Sequence, residues 1–368
     1  MLVPLRTRTR DAVPVGRAVD YRGSATVRGE LRDGLDRQVR YVRMSLTDRC
    51  NLRCTYCMPS EGVDHADRAE LLSFEEIEHL ATVLARLGVA KMRLTGGEPT
   101  LRRDLPDLVR RLRAIPAASS PDGRLRVHMT SNGLLLPGLA EALAGAGLSG
   151  LTVSLDTLDP HKFQTITRAA ALPRVIEGIE AACAAGQPGL KLNTVAIRGF
   201  NDEELHELCR FAWERGMTPR FIEIMPMAGG ALYVPGELMP AAQVRARVAD
   251  ALGGAVSPDR VQNPGIAGPA SYWRVQGGAY AGRVFGTIGA MTENFCERCN
   301  RLRISARGEL HGCLAYDDAF DLRAALRQGD DDAVTGILGV ALGAKRAGHD
   351  FRLDGAGGPT KPMIGIGG

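Results

Sequence analysis

From Val39 to about residue 230 the chain alternates between two hydrophobic periods. Short apolar runs at 39–46, 90–95, 125–130, 150–155, 189–196 and 218–225 predict strands. Between them lie stretches whose apolar residues return every three or four positions, the mark of amphipathic helices. The stretch opening at Ser73 carries the full set of signals. Ser73 and Glu76 have capping-box spacing, Phe74, Ile77, Leu80, Ala81 and Leu84 recur at helical intervals, and Gly88 supplies a stop. Asp159-Pro160, and Asn201 before an acidic first turn, predict two further helix starts. Six strand–helix units in succession predict an α/β fold on a parallel sheet, open or curled into a partial barrel.

The distinctive polar residues gather at the C-terminal ends of those strands. They are a cysteine loop after the first, Gly96-Gly97-Glu98-Pro99 after the second and Ser131-Asn132-Gly133 after the third. Ser154 and Asp156, Asn193, and Glu223 with Met225 follow on the next three. Open α/β sheets and barrels bind ligands at that edge, so the six together predict a site. Gly145 to Gly150 formally matches a dinucleotide fingerprint, but it follows a helix and precedes a strand, so it reads as a turn. Residues 1–37, rich in Arg, Gly and Asp without a sustained period, read as a flexible arm. The alternating region, 38–230, is the main unit. Beyond it Pro and Gly become frequent and only short strands are predicted, at 271–275, 282–288 and 301–305, giving a second region over 231–368.

Composition narrows the partners. No apolar run nears the roughly 18 residues of a membrane span, and the N-terminus lacks a secretory core. Asp11, Asp20 and Glu30 interrupt the early arginines, against a transit peptide, so a soluble cytoplasmic protein is expected. Arg outnumbers Lys 41 to 5, yet the net charge is only +4. That skew reflects base composition better than a nucleic-acid face, so neither nucleic acid nor membrane is expected as a partner. Guanidinium groups remain available for a phosphorylated small molecule.

Six of the eight cysteines fall in two tight groups: Cys50, Cys54 and Cys57, then Cys296, Cys299 and Cys313. Grouping of this kind without an export signal favours metal or redox chemistry over disulfides. Cys183 and Cys209 stand alone in helical segments and read as buried small hydrophobes. Three thiolates suit an iron–sulfur cubane with one iron left open to a small molecule. Zinc is the alternative for either group, with His65 or His311 as fourth ligand.

The run Asp48-Arg49-Cys50-Asn51-Leu52-Arg53-Cys54-Thr55-Tyr56-Cys57-Met58-Pro59 resembles the cluster loop of radical S-adenosylmethionine (SAM) enzymes. Gly96-Gly97-Glu98-Pro99 resembles their motif for the SAM amino group. The segment Asn300-Arg301-Leu302-Arg303, between Cys299 and Cys313, further resembles the C-terminal cluster motif of the GTP 3′,8-cyclase family, and the resemblance runs from about Arg40 to the C-terminus. It implies a partial (β/α)6 barrel with a C-terminal auxiliary-cluster region, two [4Fe-4S] clusters and SAM. Cys50, Cys54 and Cys57 would hold the SAM cluster, and Cys296, Cys299 and Cys313 the auxiliary cluster that anchors the purine. Tyr56, Gly97, Ser154 and Met225 match SAM-contacting positions. Arg43, Arg93, Thr130, Lys191, Arg301 and Arg303 match GTP-contacting ones.

Gly367 and Gly368 match a terminal Gly-Gly tail that enters the family's active site, although Gly355 to Met363 depart from the expected pattern. The implied reaction takes GTP to 3′,8-cyclo-7,8-dihydro-GTP in molybdenum-cofactor biosynthesis. Cyclic pyranopterin monophosphate synthase would act next, an electron donor would be needed, and a homodimer stays open. The competing readings are a radical SAM peptide maturase, and a non-catalytic iron–sulfur or zinc protein that binds a nucleotide. SAM cleavage separates the last from the enzymes, and GTP dependence separates cyclase from maturase.

Overall fold

A computed structural model describes residues 29–259 and 268–366 of the 368-residue chain. Strands β1 (Tyr41–Ser45), β2 (Lys91–Thr95), β3 (Arg126–Ser131), β4 (Gly150–Ser154), β5 (Lys191–Ala196) and β6 (Thr218–Glu223) each run parallel to the next. The helices among them are α1 (Phe74–Arg86), α2 (Leu105–Ala114), α3 (Ala140–Gly145), α4 (Pro160–Thr167), α5 (Leu172–Ala184) and α6 (Leu205–Glu214). All six predicted strands are present. The α1 capping box forms as expected, with the Glu76 N–H donating to Ser73 Oγ at 3.1 Å and the Ser73 N–H to Glu76 Oε2 at 2.7 Å. Ile77, Leu80, Ala81 and Leu84 are buried on one face of that helix. Asp159 likewise caps α4.

Beyond β6 come α7 (Ala241–Ala251), β7 (Ala255–Asp259), β8 (Ser271–Gln276), β9 (Val284–Ile288), β10 (Arg301–Ile304), β11 (Glu309–His311), β12 (Phe320–Asp321), α8 (Arg323–Gln328) and α9 (Asp331–Gly343). The sheet order is β12-β11-β10-β1-β2-β3-β4-β5-β6-β9-β8-β7. The later region thus extends the sheet at both edges, β10 pairing parallel with β1 and β9 parallel with β6. Among the described residues the sheet runs from β12 at one edge to β7 at the other, and its (β/α)6 centre is a partial barrel. One continuous core runs from Leu31 to Leu342, so both parts of the chain fold on shared apolar surface.

Two expectations need correction. Residues 29–37 are not a loose arm: Leu31 is fully buried, its N–H donates to Leu87 O at 3.1 Å, and Arg32 bridges to Gln38. The pattern was invisible because two leucines in nine residues, one buried and one exposed, set no period. Asn201 does not cap α6, which starts at Leu205. Its buried amide instead donates to Asp156 O and Val195 O, and its side-chain oxygen accepts the Ile197 N–H, bracing the loop after β5. Strands β7, β11 and β12 were not predicted: β11 and β12, three and two residues long, leave no readable alternation, and Pro258 interrupts the five residues of β7. The Gly145–Gly150 stretch does form the turn from α3 to β4. Among the described residues, no helix is long and apolar enough to cross a membrane.

Candidate active site

The six polar strand ends meet as predicted. The Gly-Gly-Glu-Pro loop lies against the backbone of the first cysteine loop, with the Gly97 N–H donating to Thr47 O at 2.7 Å and the Glu98 N–H to Arg49 O at 2.8 Å. A Cβ on Gly97 would stand 2.2 Å from Arg49 O, so only glycine permits this approach. Buried Glu98 accepts from Thr100 N, Thr100 Oγ1, Ser131 Oγ and Asn132 N at 2.7–3.1 Å, tying the ends of β2 and β3 together. The Tyr56 hydroxyl donates to Asp156 Oδ2 at 2.8 Å, and Asp156 Oδ1 accepts the Val195 N–H at 2.8 Å. Burial pushes the Asp156 carboxyl up to about 6. Gly97→Ala should push the two loops apart, an overpacking cost of about 1–3 kcal/mol. Roughly a tenfold loss of SAM affinity in equilibrium dialysis, with the circular dichroism spectrum unchanged, is the expected result.

The sulfurs are surrounded by donors suited to anionic metal ligands. Leu52 N–H reaches Cys50 Sγ at 3.4 Å, Asn132 Nδ2 reaches it at 3.9 Å, and the Ile364 backbone donates to Cys57. In the second group, Ala315 N–H lies 3.5 Å from Cys313 Sγ, and Lys345 Nζ and Arg301 Nη2 lie 3.4 and 3.9 Å from Cys299 Sγ. Burial raises the Cys50 and Cys57 thiols to about 11 and 12, so their ionisation needs a metal. Cys299 differs: burial opposes ionisation, but Arg301 and Lys345 outweigh it and bring the thiol to about 6. Among the described residues no three Cys, His, Asp or Glu side chains converge on one ion. His65 Nδ1 lies 3.8 Å from Asp48, and His311 Nδ1 lies 3.1 Å from Asp318 O while its Nε2 is buried without a hydrogen-bond partner among the described residues. The donor set fits iron–sulfur clusters.

A cavity of about 580 Å³ adjoins both cysteine groups and is lined by Tyr56 from the first loop and by Cys296, Cys299 and Cys313 from the second. Of the residues carried over by resemblance, Arg43, Arg93, Thr130, Ser154, Lys191, Met225, Arg301 and Arg303 all line it. Gly97 does not; it sits behind the cysteine loop. Gly367 and Gly368 lie outside the described residues. The tail before them does reach the site: Met363 lines the cavity, and Ile364 and Ile366 are buried. Gly358, at φ +88° and with only 2.4 Å from its Cβ position to Pro226 O, lets the Gly-rich stretch pass beneath the end of β6.

Register explains the cationic lining. Arg303, Arg43, Arg93 and His128 are successive partners across β10, β1, β2 and β3, and Ser154, Asn193 and Arg220 across β4, β5 and β6. Lys91, Arg126, His128 and Arg220 also line the cavity and had not been singled out. Their signal was present: Lys91 with Arg93, and Arg126, His128 and Thr130, alternate at the strand period of two. Burial, then Arg220 and Arg93, depresses the Lys191 ammonium to about 7, and burial lowers Lys91 to about 8. Burial would raise Tyr41, but Arg93, Lys91 and Arg43 outweigh it and draw its phenol down to about 6. Asn193 Oδ1 and Arg220 Nε are buried without a hydrogen-bond partner among the described residues. A polyanion carrying polar edges would satisfy that lining.

The chain is similar to known proteins over most of its length. The radical SAM superfamily model matches residues 44–212, and the Molybdenum Cofactor Synthesis C model matches residues 217–351. The GTP 3′,8-cyclase of Pelotomaculum thermopropionicum is 44% identical over 81% of this chain and 88% of its own. That of Bradyrhizobium diazoefficiens is 42% identical over 90% and 92%, and that of Rhizobium meliloti 42% over 91% and 93%. Among solved structures, Streptococcus suis SuiB bound to precursor peptide SuiA superposes with a TM-score of 0.55 at 16% identity, covering 75% of this chain and 60% of that one, a likeness of fold alone. Identity of this level over most of both chains, with both family models in sequence order, shows that the chain belongs to the GTP 3′,8-cyclase family of radical SAM enzymes.

Proposed function

We propose that the chain converts GTP to 3′,8-cyclo-7,8-dihydro-GTP, the first step of molybdenum-cofactor biosynthesis, with the reaction housed in the cavity between the two cysteine groups. The observation that carries this is the cavity's lining: eight Arg and Lys side chains against one carboxylate, Glu223, with the thiols of Cys296, Cys299 and Cys313 and, from the first cysteine loop, Tyr56. Glu223 is itself committed, accepting from Ala241 N, Met291 N and Thr292 N at 2.6–2.9 Å. A triphosphate supplies the anionic charge this lining calls for.

Cys50, Cys54 and Cys57 would hold a [4Fe-4S] cluster, which together with SAM would supply the one-electron chemistry that starts hydrogen abstraction from the ribose. The chain positions and shields. Tyr56, Ser154 and Met225 face the cavity beside the first loop and hold SAM, while Gly97 lets its amino-group motif approach. Arg43, Arg93, Lys191, Arg301 and Arg303 hold the triphosphate with Thr130, and Lys91 and Arg220 join them. Arg93 is held at the cavity floor by Tyr41 Oη at 2.7 Å and Met129 O at 2.9 Å, so its charge is placed before GTP arrives. Cys296, Cys299 and Cys313 would hold a second cluster, beside which these residues would seat the purine. Gly367 and Gly368, which lie outside the described residues, keep the catalytic role that the family resemblance gives them. In this reading the product passes to cyclic pyranopterin monophosphate synthase, an external donor supplies electrons, and the chain works in the cytoplasm.

The test is anaerobic: reconstituted, reduced protein is given SAM and GTP, and products are read by mass spectrometry. 5′-Deoxyadenosine with a cyclised GTP derivative is expected; 5′-deoxyadenosine beside untouched GTP would overturn the substrate. A second expectation concerns pH. Lys191, depressed to about 7 in the free protein, is charged below that pH and neutral above it, and the triphosphate favours the charged form. GTP affinity should therefore fall by roughly one to two orders of magnitude between pH 7 and pH 9, with proton uptake on binding at the upper end. Titration calorimetry in two buffers of different ionisation heat measures the uptake, and Lys191→Met should flatten the profile.

A further inference from the structure

The N-terminal hairpin and the segment after α9 converge on the second cysteine group through three buried charges. Arg37 donates through Nε to Asp33 Oδ2 at 2.6 Å, through Nη1 to Cys296 O at 2.8 Å and Ala347 O at 3.0 Å, and through Nη2 to Arg346 O at 2.7 Å. Lys345 Nζ donates to Cys299 O at 3.2 Å, Cys299 Sγ at 3.4 Å and Arg301 O at 3.2 Å, and lies 3.7 Å from Asp33 Oδ2. Asp33 Oδ1 takes the N–H groups of Leu35 and Arg37. The three side chains are 8%, 2% and 0% exposed for Arg37, Lys345 and Asp33.

Two features of this cluster exceed what holding a loop requires. First, the backbone carbonyls of both Cys296 and Cys299, at the two ends of one helical turn (Cys296–Arg298), are each fixed by a different buried cation. Second, the charges do not balance by themselves. Arg37 and Lys345 bring two positive charges and Asp33 one negative, and an enclosed uncompensated charge is costly. A metal-bound sulfur at Cys299, which is anionic, is the nearest partner that closes the count.

We infer that Asp33, Arg37 and Lys345 are positioning residues of the auxiliary cluster: Arg37 and Asp33 hold the cysteine turn, and Lys345 donates a charged hydrogen bond to the Cys299 sulfur that raises the cluster's reduction potential. The inference rests on the reading that Cys296, Cys299 and Cys313 bind a second cluster. Reduction adds negative charge to the cluster, and a cation at 3.4 Å favours that state; hydrogen bonds to cluster sulfurs are an established lever on potential. It also gives residues 29–37 a task, since the hairpin carries two of the three charges.

The experiment uses the full chain with both clusters reconstituted, reading iron per chain and the midpoint of each cluster by EPR-monitored redox titration. A Cys50→Ala, Cys54→Ala, Cys57→Ala variant identifies the auxiliary signal. Lys345→Met should keep its iron and move the auxiliary midpoint to lower potential, with the SAM-cluster midpoint unchanged, and Lys345→Arg should bring it back toward wild type. Arg37→Met should release auxiliary iron to a chelator faster than wild type, with a smaller midpoint shift than Lys345→Met. An unchanged auxiliary midpoint in Lys345→Met overturns the tuning role. A triple-alanine variant that holds no iron at all overturns the second cluster itself, and the inference with it.

Discussion

Cys57→Ala will yield no 5′-deoxyadenosine above background from SAM under reducing conditions, and Cys50→Ala and Cys54→Ala will behave alike. Each removes one of the three free thiols of the loop. Losing merely an outer partner of a metal ligand costs roughly 10–100-fold, so losing a ligand should lower cleavage at least about a thousandfold. Cys57 is the most informative of the three because its sulfur also receives the Ile364 N–H, which docks the C-terminal tail. Its loss should therefore also expose the tail to carboxypeptidase. Cys183→Ala and Cys209→Ala are the controls. Cys209 is fully buried in α6 against apolar neighbours and Cys183 donates to Arg215 O at 3.7 Å, so both should keep their iron and cleave SAM, at about 1 kcal/mol of stability. Retained cleavage in all three loop variants would overturn the assignment of the first cluster.

Cys299→Ser will separate the two halves of the reaction. SAM binding and uncoupled SAM cleavage should persist, because the groups that approach Cys299 Sγ are Lys345 and Arg301 of the later region. Formation of the cyclised nucleotide should fall by at least about a hundredfold, since a substrate misplaced by even about 1 Å can cost that much. The same substitution takes from Lys345 and Arg301 the sulfur they both approach, at 3.4 and 3.9 Å, and so disturbs the guanidinium that faces the cavity. GTP affinity should drop together with turnover. Unchanged affinity and product formation in this variant would remove the case for a nucleotide anchor at the second group.

Both predictions start from features that were readable in the chain. The strands, the α1 capping box, the Gly-Gly-Glu-Pro loop and the first cysteine group are each written within a dozen consecutive residues, and the second cysteine group within eighteen. So is the alternation that puts Lys91 with Arg93 on one strand face. The resemblance then supplied roles for residues such as Arg43 and Met225 that spacing alone leaves ambiguous. The alternation at Arg126-Val127-His128 was equally local, and shows that period two was underused where a polar face points into a cavity instead of solvent.

What the sequence determined by itself was therefore whatever depends on short-range order: the α/β alternation, the sheet edge that carries the chemistry, and three thiols in each of two groups. Only the tertiary structure decided how distant segments complete those groups. It placed β10 beside β1, so that Arg303 stands in register with Arg43 and Arg93. It brought Ile364 to Cys57 and Lys345 to Cys299, and it turned an unpatterned N-terminal stretch into a buried hairpin carrying Asp33 and Arg37. The physical reason is that a helix or strand advertises its buried face through a fixed period. A salt bridge or sulfur contact across more than 300 residues depends on where the whole sheet delivers two side chains, and leaves no period to read.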